Sequence, residues 1–254
     1  MARIISLVNQ KGGVGKTTTA VNLGAYLAQM GRFVLLVDID PQGNASSGMG
    51  VEVKRVQQGV YEAIINKASF RDITHHTPVE GYKVAPATMS LAGANVELVP
   101  VEQREYRLHH SLMEVKNDFD YIIIDCPPSL GLLTINGLVA ADEILIPVQS
   151  EYYALEGLGQ LLNTVNLIKE NLKPELSILG AVLTMFDRRY QLSQEVMHEL
   201  YKFFPNKIFR SVIPRNVRLA EAPSFGESIL TYDPKSKGAK AYERLAREIV
   251  DTEY

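Results

Sequence analysis

The chain alternates between short runs that are apolar on both faces and longer stretches with helical spacing. The runs occupy residues 4–8, 33–37, 121–124, 143–148 and 176–183 and are rich in Ile, Val and Leu. A strand that is apolar on both sides needs cover on both sides, as in a parallel sheet with helices above and below. The intervening stretches, such as 18–30, 131–141 and 154–171, have the length of crossover helices. This alternation predicts an α/β fold, a doubly wound and mostly parallel sheet with helices on both faces. Residues 50–117 carry a weaker pattern and read as helices and short strands. No repeat, low-complexity tract or Pro/Ser-rich linker divides the chain, so residues 1–254 read as a single domain.

In such sheets ligands bind outside the carboxyl ends of the strands, and the suggestive motifs fall there. The first run leads into Asn9-Gln10-Lys11-Gly12-Gly13-Val14-Gly15-Lys16-Thr17-Thr18. Glycines let this backbone curl so that N–H groups point inward at phosphate, and a following helix adds the partial positive charge of its N-terminus. Lys16 would reach the β- and γ-phosphates, and the Thr17 hydroxyl would be a ligand to Mg²⁺. The segment from Lys11 to Thr18 therefore predicts binding and hydrolysis of a nucleoside triphosphate with magnesium. The second run delivers Asp38-Ile39-Asp40-Pro41. A strand continued to Asp40 would set Asp38 and Asp40 on one side, where a carboxylate can orient or deprotonate a water. The third run ends in Asp125-Cys126-Pro127-Pro128, an acid after four apolar residues, which is the Walker B pattern for holding magnesium. Cys126 reads as a small buried packing residue.

Composition narrows the classes. The net charge of −3 gives no global attraction to nucleic acid or anionic membrane, but residues 186–247 hold twelve Lys/Arg against seven Asp/Glu, enough for a basic face. One cysteine excludes an intramolecular disulfide framework and a Cys-rich metal site. The N-terminus does not read as a signal peptide, and no apolar stretch approaches the ~20 residues that cross a bilayer, so a cytoplasmic location is expected.

The standard loop, G-x-x-x-x-G-K-[ST], has glycine where this chain has Gln10, and a second lysine, Lys11, precedes the paired glycines. In this deviant form the chain resembles the ParA/MinD-type ATPases, and most closely the short chromosomal (Soj) type of ParA, over residues 4–249. The resemblance implies that Lys11 reaches across a dimer interface to phosphates held by the other subunit, where charge develops during phosphoryl transfer. It implies that Lys11 and Lys16 neutralise phosphate charge, that Asp40 is the catalytic carboxylate of a first switch, and that Thr17 and Asp125 organise magnesium. Asp38 is either in the outer shell of that metal or a strand-end cap. Pro127 and Pro128 resemble the start of a second switch. No Asn-Lys-x-Asp guanine reader occurs. Met185 in Thr184-Met185-Phe186-Asp187, with Pro214 and Asn216 in Ile213-Pro214-Arg215-Asn216, matches the segments that enclose adenine, so ATP is the expected nucleotide. In the matching segment 147–153, Glu151 is a candidate contact to the partner's nucleotide.

The function implied is a switch: an ATP-bound homodimer holds double-stranded DNA without sequence preference. It is released when a ParB-type centromere-binding protein stimulates slow hydrolysis, so that chromosomes or plasmids segregate. Nucleoid association follows from that role. Arg188, Arg189 and Arg218 are the candidate DNA contacts, and Arg215 belongs either to that surface or to the nucleotide. The loop begins about a dozen residues from Met1, so the N-terminal helix-turn-helix domain of longer plasmid ParA proteins is not expected. The alternative is a MinD-like ATPase at the membrane. The pattern of residues 241–254 fits a docked helix with acidic final residues, so no membrane partner is expected. The nitrogenase iron protein needs two cysteines per chain and is excluded. A ligase or kinase would need a second substrate pocket that the sequence does not reveal.

Overall fold

The central strands are built from residues that gain most by leaving water on both sides. All five residues of β5 (Tyr121–Asp125) are buried, and so are all five of β2 (Val34–Asp38), while β1 (Arg3–Leu7) is buried from Ile4 onward. The computed structural model describes residues 1–151 and 156–253. Among them seven strands form one sheet in the order β3-β4-β2-β5-β1-β6-β7. The remaining strands are β3 (His75–His76), β4 (Tyr82–Ala85), β6 (Glu143–Gln149) and β7 (Ser177–Thr184). Every pairing is parallel except that of β3 with β4.

Successive strand residues enter opposite cores, as the two-residue period requires. Ile4, Leu35 and Ile122 join one cluster, and Ile5, Leu36 and Ile123 join the other. The second cluster is closed by α1 (Lys16–Gln29), through Leu23 and Leu27, and by the last α-helix. Along the chain the other helices are α2 (Asn44–Gly48), α3 (Val60–Ile64), α4 (Ala94–Glu97), α5 (Arg107–Leu112), α6 (Leu132–Ala140), α7 (Glu156–Asn171), α8 (Gln191–Phe203), α9 (Val217–Glu221), α10 (Ile229–Tyr232) and α11 (Lys237–Val250). Leu138 of α6, Leu161 of α7 and Leu200 of α8 close the first cluster. Helices therefore cover both faces, the doubly wound arrangement expected from the alternating pattern. Tyr242 of α11 is buried against α1, its hydroxyl 3.1 Å from that of Thr19.

Three details depart from the sequence reading. Phe33 stands outside the second strand and is 62% exposed, because the ladder starts at Val34 while the Phe33 carbonyl takes the N–H groups of Asp120 and Tyr121. The same strand stops at Asp38 and does not continue to Asp40. Ile39 N–H still bonds the Asp125 carbonyl (3.1 Å), but Asp40 N–H turns back to the Asp38 carboxylate (3.1 Å), so alternation no longer sets the direction of Asp40. Within residues 50–117, β4 extends the parallel sheet beside β2, from Val34↔Tyr82 to Val37↔Ala85. Its Tyr-Lys-Val-Ala is too short, and too interrupted by Lys83, to announce a sheet strand. The first two residues of the expected helix 154–171 lie outside the described residues.

Candidate nucleotide site

Because β1, β2, β5, β6 and β7 run parallel, their carboxyl ends share one edge of the sheet. The loop after β1 is fastened there at two points. The buried Asn9 donates its carboxamide N–H to the Pro147 carbonyl (2.8 Å) and accepts the Lys11 N–H (3.0 Å), which ties the loop entry to β6. The Thr184 hydroxyl at the tip of β7 donates to the Val14 carbonyl (2.7 Å). Between these anchors Gly13 and Gly15 have φ of 73° and 88°, left-handed values that other residues adopt only with strain. The N–H groups of Gly13, Gly15, Lys16 and Thr17 make no hydrogen bond among the described residues. Donors left unpaired at a helix start are a site for an anion.

Lys16 is 6% exposed and its ammonium donates to the Lys11 carbonyl (3.2 Å). Burial lowers its pKa, and the nearby Asp125, Cys126 and Asp40 work in the opposite direction. Asp125 faces Asp38 and Leu7 in register across the sheet. The Thr17 hydroxyl donates to Asp125 Oδ2 (2.7 Å), while Oδ1 is buried with no partner. Asp38 accepts the Ser46 N–H (2.8 Å) and hydroxyl (2.7 Å) on one oxygen and the Asp40 N–H on the other. Burial raises both carboxyl groups above their ordinary range; Asp38 raises Asp125 further, and Asp40 raises Asp38. A buried acid pair with one orphaned oxygen and a neighbouring hydroxyl fits a hard divalent cation, which would supply the missing charge.

Asp40 is 8% exposed, accepts the Gln42 N–H (3.0 Å), and borders a cleft of about 550 Å³ over the loop. Gly12, Gly13, Gly15, Lys16, Thr17 and Thr18 line this cleft with Pro128 and Met185. Its far wall is Pro223, Ser224 and Glu227, which the sequence reading did not single out. Nor did it single out Asn9, Ser46 or the anchoring role of Thr184. Asn9 and Thr184 each lie just beyond or at the end of an apolar run, and that position was the available signal. For Ser46 there was none. Cys126 is buried with its sulfur 3.1 Å from the Ser6 hydroxyl, and burial pushes the thiol to about 12, in keeping with a packing residue.

Other candidates lie around the cleft. Lys11 does not line it; its ammonium sits 3.5 Å from Glu151, which also accepts from Gln149 (2.7 Å) and lies 3.7 Å from Arg215. Pro214 and Asn216 do not line it either. Asn216 caps α9 with its side-chain oxygen on the Arg218 N–H (2.8 Å), and Pro214 bridges to Phe186. Arg189 is 82% exposed and makes a forked contact with Asp187, and Arg218 contacts Glu221 (2.8 Å) and Asp233 (3.6 Å). Arg188 has no ion pair among the described residues.

Loop, sheet and acid pair place the chain in the class of P-loop nucleotide-binding proteins. The protein-family model described as "AAA domain" matches residues 2–178. The chain is 58% identical to "Sporulation initiation inhibitor protein Soj" of Bacillus subtilis, over 98% of each chain. It is 52% identical to "Chromosome-partitioning ATPase Soj" of Treponema pallidum, again over 98% of each. Among solved structures, "Cobyrinic Acid a,c-diamide synthase" from Mycobacterium smegmatis, with bound ATP analog and magnesium, superposes with a TM-score of 0.88 at 38% identity. That match covers 97% of this chain and 93% of the other. The chain belongs to the Soj/ParA family of P-loop chromosome-partitioning ATPases.

Proposed function

We propose that this ATPase is a dimerising switch that binds DNA without sequence preference when loaded with ATP, and drives chromosome or plasmid segregation with a ParB-type partner. Its nucleotide is ATP and its metal is magnesium. Thr17 and Asp125 would hold the metal, with Asp38 behind them, and the ion would neutralise charge on the β- and γ-phosphate oxygens. The loop N–H groups and Lys16 orient the phosphates. Asp40, at the rim of the cleft, positions the attacking water and accepts its proton.

The observation that carries the dimer is the separation of the two loop lysines. Lys16 is drawn back into its own loop, whereas Lys11 stands outside the cleft, partly exposed, against a more exposed Glu151. An exposed pair at that distance contributes little, about 0–1 kcal/mol, so Lys11 can be drawn to a second subunit's phosphates at small cost. The C-terminal helix speaks against the membrane alternative. Ala239, Tyr242, Leu245 and Ile249 of α11 are buried in the protein core, which leaves that apolar face nothing to offer a lipid surface. No helix among the described residues is long and apolar enough to cross a membrane.

The test compares retention on random-sequence DNA and on anionic liposomes, each with ATP and with ADP. Retention on DNA with ATP alone, weakening steeply with salt, is the expected result. Retention on liposomes would transfer the switch to a membrane. Retention on neither surface, with ATP turnover intact, would favour small-molecule chemistry, as in the synthase named above.

A further inference from the structure

We infer that Thr184 is a positioning residue for the nucleotide phosphates, acting through the Val14–Gly15 peptide. This rests on reading the loop as the ATP site. Thr184 is 2% exposed and ends β7, in register with Gln149 of β6. Its own carbonyl accepts the N–H and the hydroxyl of Ser150 (3.1 and 3.2 Å), so its backbone is held from the β6 side. That leaves the side chain directed at the loop, where the hydroxyl donates to the Val14 carbonyl at 2.7 Å.

The consequence follows from peptide planarity. In a trans peptide the C=O and the following N–H point in opposite directions, so fixing one fixes the other. With the Val14 carbonyl held on Thr184, the Gly15 N–H points away from β7, and it makes no hydrogen bond among the described residues. Gly15 has φ 88° and lies against the same side chain: a Cβ added there would sit 3.6 Å from Thr184 Cγ2. The methyl therefore forms the floor under Gly15, and the hydroxyl sets the rotation of the peptide. A glycine-rich loop has many backbone states available to it. Removing the hydroxyl lets the peptide rotate, so the donor is no longer held in place before the ligand arrives. Thr184 is also the residue before Met185, which lines the cleft, so the tip of β7 touches the phosphate loop and the cleft wall at once.

The experiment measures binding of a non-hydrolysable ATP analogue with magnesium, and steady-state turnover, for the wild type, Thr184→Val, Thr184→Ser and Thr184→Cys. Thr184→Val keeps the shape and loses the donor. It is expected to weaken analogue binding and raise KM by about tenfold, with kcat within about twofold. Thr184→Ser retains the hydroxyl and is expected to bind within about threefold of wild type, and Thr184→Cys, a weak donor, should fall between. A purely structural role would lower the active fraction, and so apparent kcat, at unchanged KM. Unchanged affinity in Thr184→Val would overturn the assignment. So would a loss in Thr184→Ser as large as that in Thr184→Val, because the methyl would then matter as much as the hydroxyl. If Thr184→Val does not fold, Thr184→Cys decides: wild-type affinity in it overturns the proposal. A wild type that fails to bind the analogue would defeat the ATP-site reading itself, an outcome distinct from all of these.

Discussion

The Thr17 hydroxyl donates to one oxygen of Asp125 at 2.7 Å and leaves the other buried and unpartnered. One residue lies in the first turn of the helix after the phosphate loop and the other ends a strand 108 positions later, and their contact marks where a cation is needed. Without that cation, Asp125 and Asp38 are two acids confined in one buried space.

A pH dependence follows for the metal-free, nucleotide-free protein. Burial raises Asp38 from its ordinary 3.8 to about 6, and raises Asp125 as well. A carboxyl group whose folded pKa is raised stabilises the fold below its unfolded pKa, and that contribution is lost as pH rises through the folded value. Melting temperature measured in chelator should therefore fall as pH rises from about 4 through about 6, with a loss on the order of 3 kcal/mol from Asp38. Asp125→Asn should flatten this profile and melt higher than the wild type at pH 7, while losing magnesium-dependent ATP binding. A wild-type profile flat across that window would contradict the burial argument.

Asp40→Ala should separate binding from turnover. Its carboxylate is held by the Gln42 N–H at the rim of the cleft and bonds no loop residue, so ATP binding should persist. Hydrolysis should fall by about 10²–10⁴-fold. Gel filtration with saturating ATP should give a stable dimer that still holds DNA. Lys11→Ala should instead bind ATP as a monomer, and a dimeric Lys11→Ala would refute the trans role of that lysine.

Arg189 sits on Asp187 and Arg218 on Glu221, yet both guanidinium groups are largely exposed. Ion pairs this open to water are screened and contribute little, so DNA phosphates can compete for them. Arg188→Glu and Arg189→Glu should each weaken ATP-dependent DNA retention and lower the salt slope by about 1, with nucleotide binding unchanged. Unchanged retention would place the DNA surface elsewhere.

Gly24→Ala tests packing against propensity. Alanine in the middle of α1 gains about 1 kcal/mol over glycine by helix propensity. A Cβ at this position would overlap the hydroxyl of Tyr82 and stand 2.7 Å from its Cε2, and Tyr82 is 1% exposed with its hydroxyl on the Ala20 carbonyl (3.2 Å). The net effect should be destabilisation of about 1–3 kcal/mol, read from urea unfolding. A more stable variant would mean that Tyr82 yields easily.

Particular residues show where sequence reading stops. Residues 4–8 and 121–124 announced strands because Ile and Val runs have few other places to go, and Gly12 to Thr17 announced a phosphate loop because that chemistry needs contiguous residues. Periodicity and adjacency are local properties, and the sequence alone determined the sheet type, the loop and the acid at the end of β5. β4 was hidden because its four residues are too few, and too interrupted by Lys83, to show a period of their own. Asp40 was assigned a strand direction that ended with Asp38, because a ladder stops where its partner strand stops. The anchors of the loop, Asn9 on Pro147 and Thr184 on Val14, span 138 and 170 positions. The contact of Lys11 with Glu151 spans 140 positions, and only the folded chain decides that Lys16 turns inward onto the Lys11 carbonyl while Lys11 faces Glu151. Contacts of that separation exist only once the strands are laid side by side, and no spacing within the sequence encodes them.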